Sequence, residues 1–364
     1  MSVKKKPRRN KHRNTLKKHY SQLILLIIIV VSCVWFFYTL FHLQPASDWS
    51  EDKANEVSEV RLPKDDAPHQ SQIEWWYYNG HLSSESGKQF SFHDTVFLVN
   101  SVMNHMISHV SFNDHQTGKH YTDQRKTGGN SSVDTKNRFE FNQSDWLMTG
   151  GDGNDRLKVI TKDFSFDLQL TSTLSPVFHG SDGIISLAAA GSSYYYSRTR
   201  MATSGTITIG DTTEKVTGIS WFDHQWGDFS IGRLSWDWFS LQLDNNVDAM
   251  IYQLRDKSNN PVLYMASITQ NGHTEMLMNT DFTLTPGKKW HSNKTGSDYP
   301  LEWRVSIPKK NIDITTNSII SNSEFDARLT TYNHYWEGAI KIHGTHTGRG
   351  FMELSGYTTD NPGT

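Results

Sequence analysis

From about residue 70 onward, apolar side chains recur every second residue in short runs, and no long stretch sustains a helical stripe. Phe164, Phe166, Leu168 and Leu170 alternate strictly with polar neighbours, as do Ile207 with Ile209 and Phe239 with Leu241 and Leu243. A period of two places such side chains on one face of an extended strand. Turn-forming pairs punctuate the runs: Ser86-Gly87, Gly150-Gly151-Asp152-Gly153, Asp182-Gly183, Asn271-Gly272 and Pro286-Gly287. The expected class is mostly β, an antiparallel sandwich or barrel that closes its own edges and can enclose a ligand. Within this body only the run 184–190 is read as a short helix.

The N-terminus obeys different rules. Nine of the 36 Lys/Arg fall in the first twenty residues, which carry no acid, so 27 basic residues face 38 acidic ones over the rest of the chain. A basic arm alone suggests nucleic acid, but the apolar run that follows it at 23–41 argues for a membrane instead, and no nucleic-acid partner is expected. That run is uncharged and long enough to cross a hydrocarbon core of about 30 Å. Lys/Arg before it and Asp48, Glu51 and Asp52 after it fit a single span with the domains outside. The expected organisation is a basic cytoplasmic arm (1–21), a transmembrane helix (22–42) and a linker (43–69). The setting is a bacterial inner membrane with the domains on the periplasmic side. Val30-Val31-Ser32-Cys33 offers an alternative, a lipoprotein tethered through Cys33. Cys33 is the only cysteine, so the body has no disulfide, thiolate ligand or cysteine nucleophile.

The stretch 221–238, WFDHQWGDFSIGRLSWDW, holds four tryptophans and the titratable side chains Asp223, His224, Asp228 and Asp237. Buried indoles need partners for their N–H groups, and a carboxylate within reach fixes an imidazole's tautomer. The stretch therefore reads as a pocket wall bearing an acid/base kit, in which Asp223, His224 and Asp228 tune one another; the plain alternative is sheet core. In Trp236-Asp237-Trp238 the two indoles share a strand face and Asp237 takes the other. Tyr194 and Tyr196 likewise share a face opposite Tyr195. Glu74, beside Trp75 and Trp76, is read as a buried acid or as a structural acceptor. His105 and His109 are read as a surface and a pocket-facing imidazole, and no metal or other cofactor is expected.

Four blocks, IEWWYYNGHL at 73–82, SHVSFND at 108–114, SWFDHQWGDF at 220–229 and YWEGAIKIHGTHTGRGFMELSGY at 335–357, resemble the lipocalin-like AttH/CrtC family. That group includes the carotenoid 1,2-hydratases. The resemblance implies two consecutive lipocalin-like antiparallel β-barrel domains, set here at 70–242 and 243–362. It also implies that His224 and Trp226 hold the His-x-Trp positions and Tyr252 a downstream tyrosine of a hydratase site, with Asp223 beside them. Leu254 stands where the hydratase pattern has an aspartate, and Asp256 lies two residues further on.

Three functions are weighed. The first is a membrane-anchored container for a lipid or isoprenoid, associated with ABC-transporter subunits as AttH-type members are. The second is a hydratase adding water to an isoprenoid C=C through an Asp-His-Trp site. The third, a hydrolase, lacks a Gly-x-Ser-x-Gly elbow. The catalytic candidates are Asp223, His224, Trp226 and Tyr252. The ligand-binding candidates are Glu74, Trp75, Trp76, His109, Tyr194, Tyr196, Trp221, Trp236, Trp238 and Trp336.

Overall fold

The computed structural model describes residues 59–357, except 102, 130–135, 181, 230–234, 257 and 259. The apolar run at 23–41, the basic arm and Cys33 lie outside the described residues. No helix among those described is long and apolar enough to cross a membrane.

The first sheet contains β1 (Ile73–Ser84), β2 (Gln89–Val99), β3 (His105–Asp114), β4 (Lys119–Gly128), β5 (Phe139–Gln143), β6 (Trp146–Gly150), β7 (Asn154–Ile160), β8 (Phe164–Ser172), β9 (Val177–Phe178), β10 (Ile184–Ser186), β11 (Ser192–Ile209) and β12 (Thr212–Gly227). Their spatial order is β4-β3-β2-β1-β12-β11-β8-β7-β6-β5, with β9 and β10 paired to β11. The second sheet is built from β13 (Ser235–Leu243), β14 (Val247–Arg255), β15 (Pro261–Gln270), β16 (His273–Met278) and β17 (Thr283–Pro286), then β20 (Glu302–Ile307), β21 (Ile312–Ser318), β22 (Glu324–Asp326), β23 (His334–Gly344) and β24 (Gly348–Ser355). Its main path runs β16-β15-β14-β13-β24-β23-β21-β20-β17, and β18 (Lys289–His291) and β19 (Asp298–Pro300) form a separate hairpin.

Both sheets curl into barrel-like shells around filled interiors. Phe164, Phe166, Leu168 and Leu170 all point into the first core with Phe90, Phe92 and Phe112, as their alternation requires. Burying each such side chain stabilises the fold by about 1.5–3 kcal/mol. The free edges of the first sheet are joined by side chains: Arg125 donates to Gln143 O at 2.5 Å and to Asp145 at 2.6 Å, while Gln143 donates to Met106 O at 3.1 Å. In the second shell β24 runs close against β13. A Cβ at Gly350 would stand 2.0 Å from Ser240 O, so glycine is required there.

Three expectations are corrected. The run 184–190 is a short strand followed by a single 3-10 turn at Ala188–Ala190, because Ile184 and Ile185 suit a strand and only three residues remain before Gly191 turns the chain. The first sheet ends at Gly227 and the second begins at Ser235, ahead of the expected boundary at 242, because β13 pairs with β24 through Phe239↔Met352. Residues 59–69 are packed rather than a loose linker. Val60 and Asp66 are buried, and Asp66 accepts bonds from Tyr196 O–H and, at 2.7 Å, Asp152 N–H.

Candidate active site

Strand parity divides the tryptophan-rich stretch between two regions. On β12, Phe222, His224 and Trp226 face the interior of the first shell, whereas Trp221, Asp223 and Gln225 face outward toward the second sheet. Asp223 and His224 are sequence neighbours on opposite faces, so the expected Asp-His pair does not exist. Across the sheet, Trp76 and Tyr196 flank His224 inside, and Tyr77 and Ser197 flank Asp223 outside.

The outward faces of the two sheets enclose a cavity of about 430 Å³. Of the residues proposed from the sequence, Trp75, His109, Asp223, Trp236, Trp238 and Tyr252 line it. Trp221 stands behind Asp223 in the same apolar cluster. Glu74, Trp76, Tyr194, Tyr196, His224 and Trp226 belong to the first shell's interior, and Trp336 to the second core; none of these lines the cavity. The lining phenol on β11 is Tyr195, because its two tyrosine neighbours point the other way.

Among the described residues the cavity carries acids and no Lys or Arg. Asp223 accepts Tyr195 O–H at 2.7 Å, Trp221 Nε1–H at 2.6 Å and Ser197 O–H. Burial pushes its carboxyl up to about 7 in spite of these three donors. Trp238 Nε1–H donates to the Tyr195 oxygen at 3.0 Å, and Glu353 is the cross-strand partner of Trp238. Burial also pushes Glu353 up to about 7, opposed by a hydrogen bond from Trp236 and reinforced by the charge of Asp223. Glu337 lies directly across β23–β24 from Glu353 and accepts Tyr77 O–H at 2.5 Å. Its carboxyl is held well above the ordinary glutamate value by burial and by Glu353. The imidazole nearest Glu337, His93 at 3.3 Å, is kept neutral by its own burial.

Around these acids stand indole and phenol faces. The Tyr252 hydroxyl is buried with no hydrogen-bond partner among the described residues, which leaves it free to bind a substrate oxygen. His109 bonds Tyr335 Oη at 2.9 Å and Thr330 Oγ1 at 2.8 Å, and burial drives its imidazole down to about 3, so it is neutral. Leu254 lines the cavity, so an aspartate at this position would face the ligand. Asp256 does not substitute for it; its carboxylate caps a turn through Ser258 N–H and Asn260 N–H, both at 2.9 Å. Asp237 turns away from the indoles beside it and pairs with Arg255 at 3.0 Å.

The inward cluster is of another kind. Glu74 Oε1 lies 2.7 Å from both His224 Nε2 and His69 Nδ1, and Oε2 accepts the His69 backbone N–H at 2.8 Å. His69 stacks on Trp226 at 4.2 Å. Burial alone would lower the His69 imidazole, but Asp65 and Glu74 outweigh it and push it up to about 9.

Sequence reasoning passed over Tyr77, Tyr195, Phe97 and Glu353. The first three share parity with Trp75 and Asp223 on paired strands, a signal available once one of these is known to face outward. Glu353 lay in the closing glycine-rich block, of which only Trp336 was a ligand-binding candidate.

Two curled antiparallel sheets with an acid-bearing apolar cavity between them are consistent with a lipocalin-like double barrel. A family model described as AttH-like matches residues 53–357, and the chain belongs to that family. An AttH from Nitrosomonas europaea is similar in structure, with a TM-score of 0.77 and 28% identity over 83% of this chain and 98% of that one. Kievitone hydratase from Nectria haematococca shares the fold at a TM-score of 0.67 and 18% identity, over 84% of this chain and 95% of that one. Among curated proteins, the dehydratase asqC of Emericella nidulans is 25% identical over 204 residues, which is 52% of this chain and 58% of the relative's length.

Proposed function

We propose that the chain is a hydro-lyase that adds water to, or removes it from, an apolar substrate held in the cavity between the sheets. The observation that carries this reading is the pair Asp223, buried, and Glu353, half-buried, two carboxyl groups pushed up to about 7 in a cavity walled by indoles and phenols. Near neutral pH such a pair holds one proton and one charge, which provides an acid and a base together. In hydration the protonated carboxyl gives its proton to one alkene carbon, and the indole faces of Trp75, Trp236 and Trp238 stabilise the cation left on the other. Water bonds to that carbon and passes a proton to the carboxylate, so one proton is given, one is recovered, and the net change is one water. Dehydration runs the same steps backward. The hydratase and dehydratase among the similar proteins support this chemistry over simple storage, and the family resemblance favours an isoprenoid chain as substrate. On this reading the run at 23–41 anchors the chain in a bacterial inner membrane, beside a source of apolar substrate.

The test is to incubate full-length protein in detergent micelles with prenyl-chain alkenes and their tertiary alcohols in ¹⁸O-water. The expected result is ¹⁸O-labelled alcohol, with a rate that peaks near pH 7. Asp223→Asn and Glu353→Gln should each lower the rate about 10³-fold while ligand binding persists. Recovery of every bound ligand unchanged would overturn the proposal in favour of storage and hand-over to a transporter.

A further inference from the structure

The cluster of His69, Glu74 and His224 has no part in that reaction, because it faces the interior of the first shell. The three side chains each bring one ligand atom within 4.8 Å of the others. We propose that they form a binding site for one divalent transition-metal ion of the zinc class, with water completing its coordination. Two imidazoles and one carboxylate are a donor set that borderline ions accept.

The surroundings are those of a built site. His69 Nε2 faces Asp65 Oδ1 at 3.6 Å, and an outer carboxylate of this kind orients a ligating imidazole. Asp65 is itself held by the Arg61 N–H on Oδ2 at 2.6 Å. The His69 backbone N–H occupies Glu74 Oε2, which leaves Oε1 turned to both rings. Stacking fixes the rings: His69 on Trp226 with an interplanar angle of 4°, and His224 on Trp76 at 4.3 Å. Asp65 and Glu74 both reach His69, and Asp66 beside them is met by the buried guanidinium of Arg198 at 3.5 Å. Binding of the ion displaces the hydrogen that His69 Nδ1 now shares with Glu74, which is released, while His224 then carries its ring hydrogen on Nδ1. The ion would fasten the 59–69 segment to β1 and β12.

The proposal stands apart from the hydro-lyase reading, and its test needs no substrate. Full-length protein in micelles, stripped with a chelator and dialysed, is titrated with zinc chloride by calorimetry and with cobalt chloride by visible absorption. One zinc per chain is expected, with a Kd on the order of 1 µM or tighter. Asp65→Asn should weaken binding about tenfold, and His69→Gln by more, with loss of the cobalt band. The His69 side chain is 24% exposed, so its replacement leaves the core filled, and circular dichroism verifies the fold. No zinc binding tighter than millimolar would overturn the proposal, as would unchanged binding in folded His69→Gln.

Discussion

The two faces of β12 treat buried acids in opposite ways. On the inner face Glu74 meets His69 and His224, and Asp66 meets Arg198 and Tyr196. On the outer face Asp223, Glu353 and Glu337 meet only neutral donors: serine, tyrosine, tryptophan and a neutral histidine. On the outer face burial with no described cation alongside drives the carboxyl pKa up, to about 7 for Asp223 and Glu353, so that these groups can hold a proton near pH 7. On the proposed reading the chemistry belongs to the outer face, where no described Lys or Arg stands beside the acids, although His224 lies on the other.

The largest effect that would test this contrast is expected at Trp76, fully buried against His224 and Phe141. Trp76→Ala should cost about 3–5 kcal/mol in urea unfolding, because a filled interior cannot collapse around the gap. Arg198→Met should cost about 3 kcal/mol by the same assay, since it strands the Asp66 carboxyl without its guanidinium. A loss below about 1 kcal/mol would mean that the inner face does not depend on pairing.

On the outer face the sign changes with pH. Asp223 titrates at about 7 when folded and near 3.8 when unfolded, so between those values the folded state keeps a proton that the unfolded state has lost. The contribution of Asp223 to stability is therefore lost as pH rises from 4 to 7, and Asp223→Asn, with no proton to lose, should gain on wild type by about 3 kcal/mol across that window. Urea midpoints at the two ends measure this, and a constant difference would refute the assignment. The smallest effect is at Tyr252: Tyr252→Phe should change stability by less than about 0.5 kcal/mol, because its hydroxyl has no partner to lose. The same variant should weaken retention of an oxygenated ligand, and equal retention would remove Tyr252 from the site.

Much of the fold was legible in the chain. The alternation at Phe164–Leu170 and the Gly-containing turns led to the strands, and the four motif blocks led to the family. The site was only half legible, and the errors share one cause. Asp223 and His224, and Trp75 and Trp76, each read as neighbours in one site, yet in a strand adjacent residues face opposite ways, and on β11 the candidates were Tyr194 and Tyr196 although Tyr195 is the one that lines the cavity. Only Asp223 and Trp75 of these pairs reach the cavity.

What the sequence determined by itself is the set of short strands, their turns and the apolar positions, because alternation and turn chemistry are local. Which face of each strand meets the second sheet was decided by tertiary structure alone. Both faces of β1 and β12 are apolar enough to be buried, so the pattern cannot separate a shell interior from an interface between shells. The same holds for the acids. What stands beside a buried carboxyl was settled by strand pairing, which brings Arg198 to Asp66 and Ser197 and Tyr195 to Asp223.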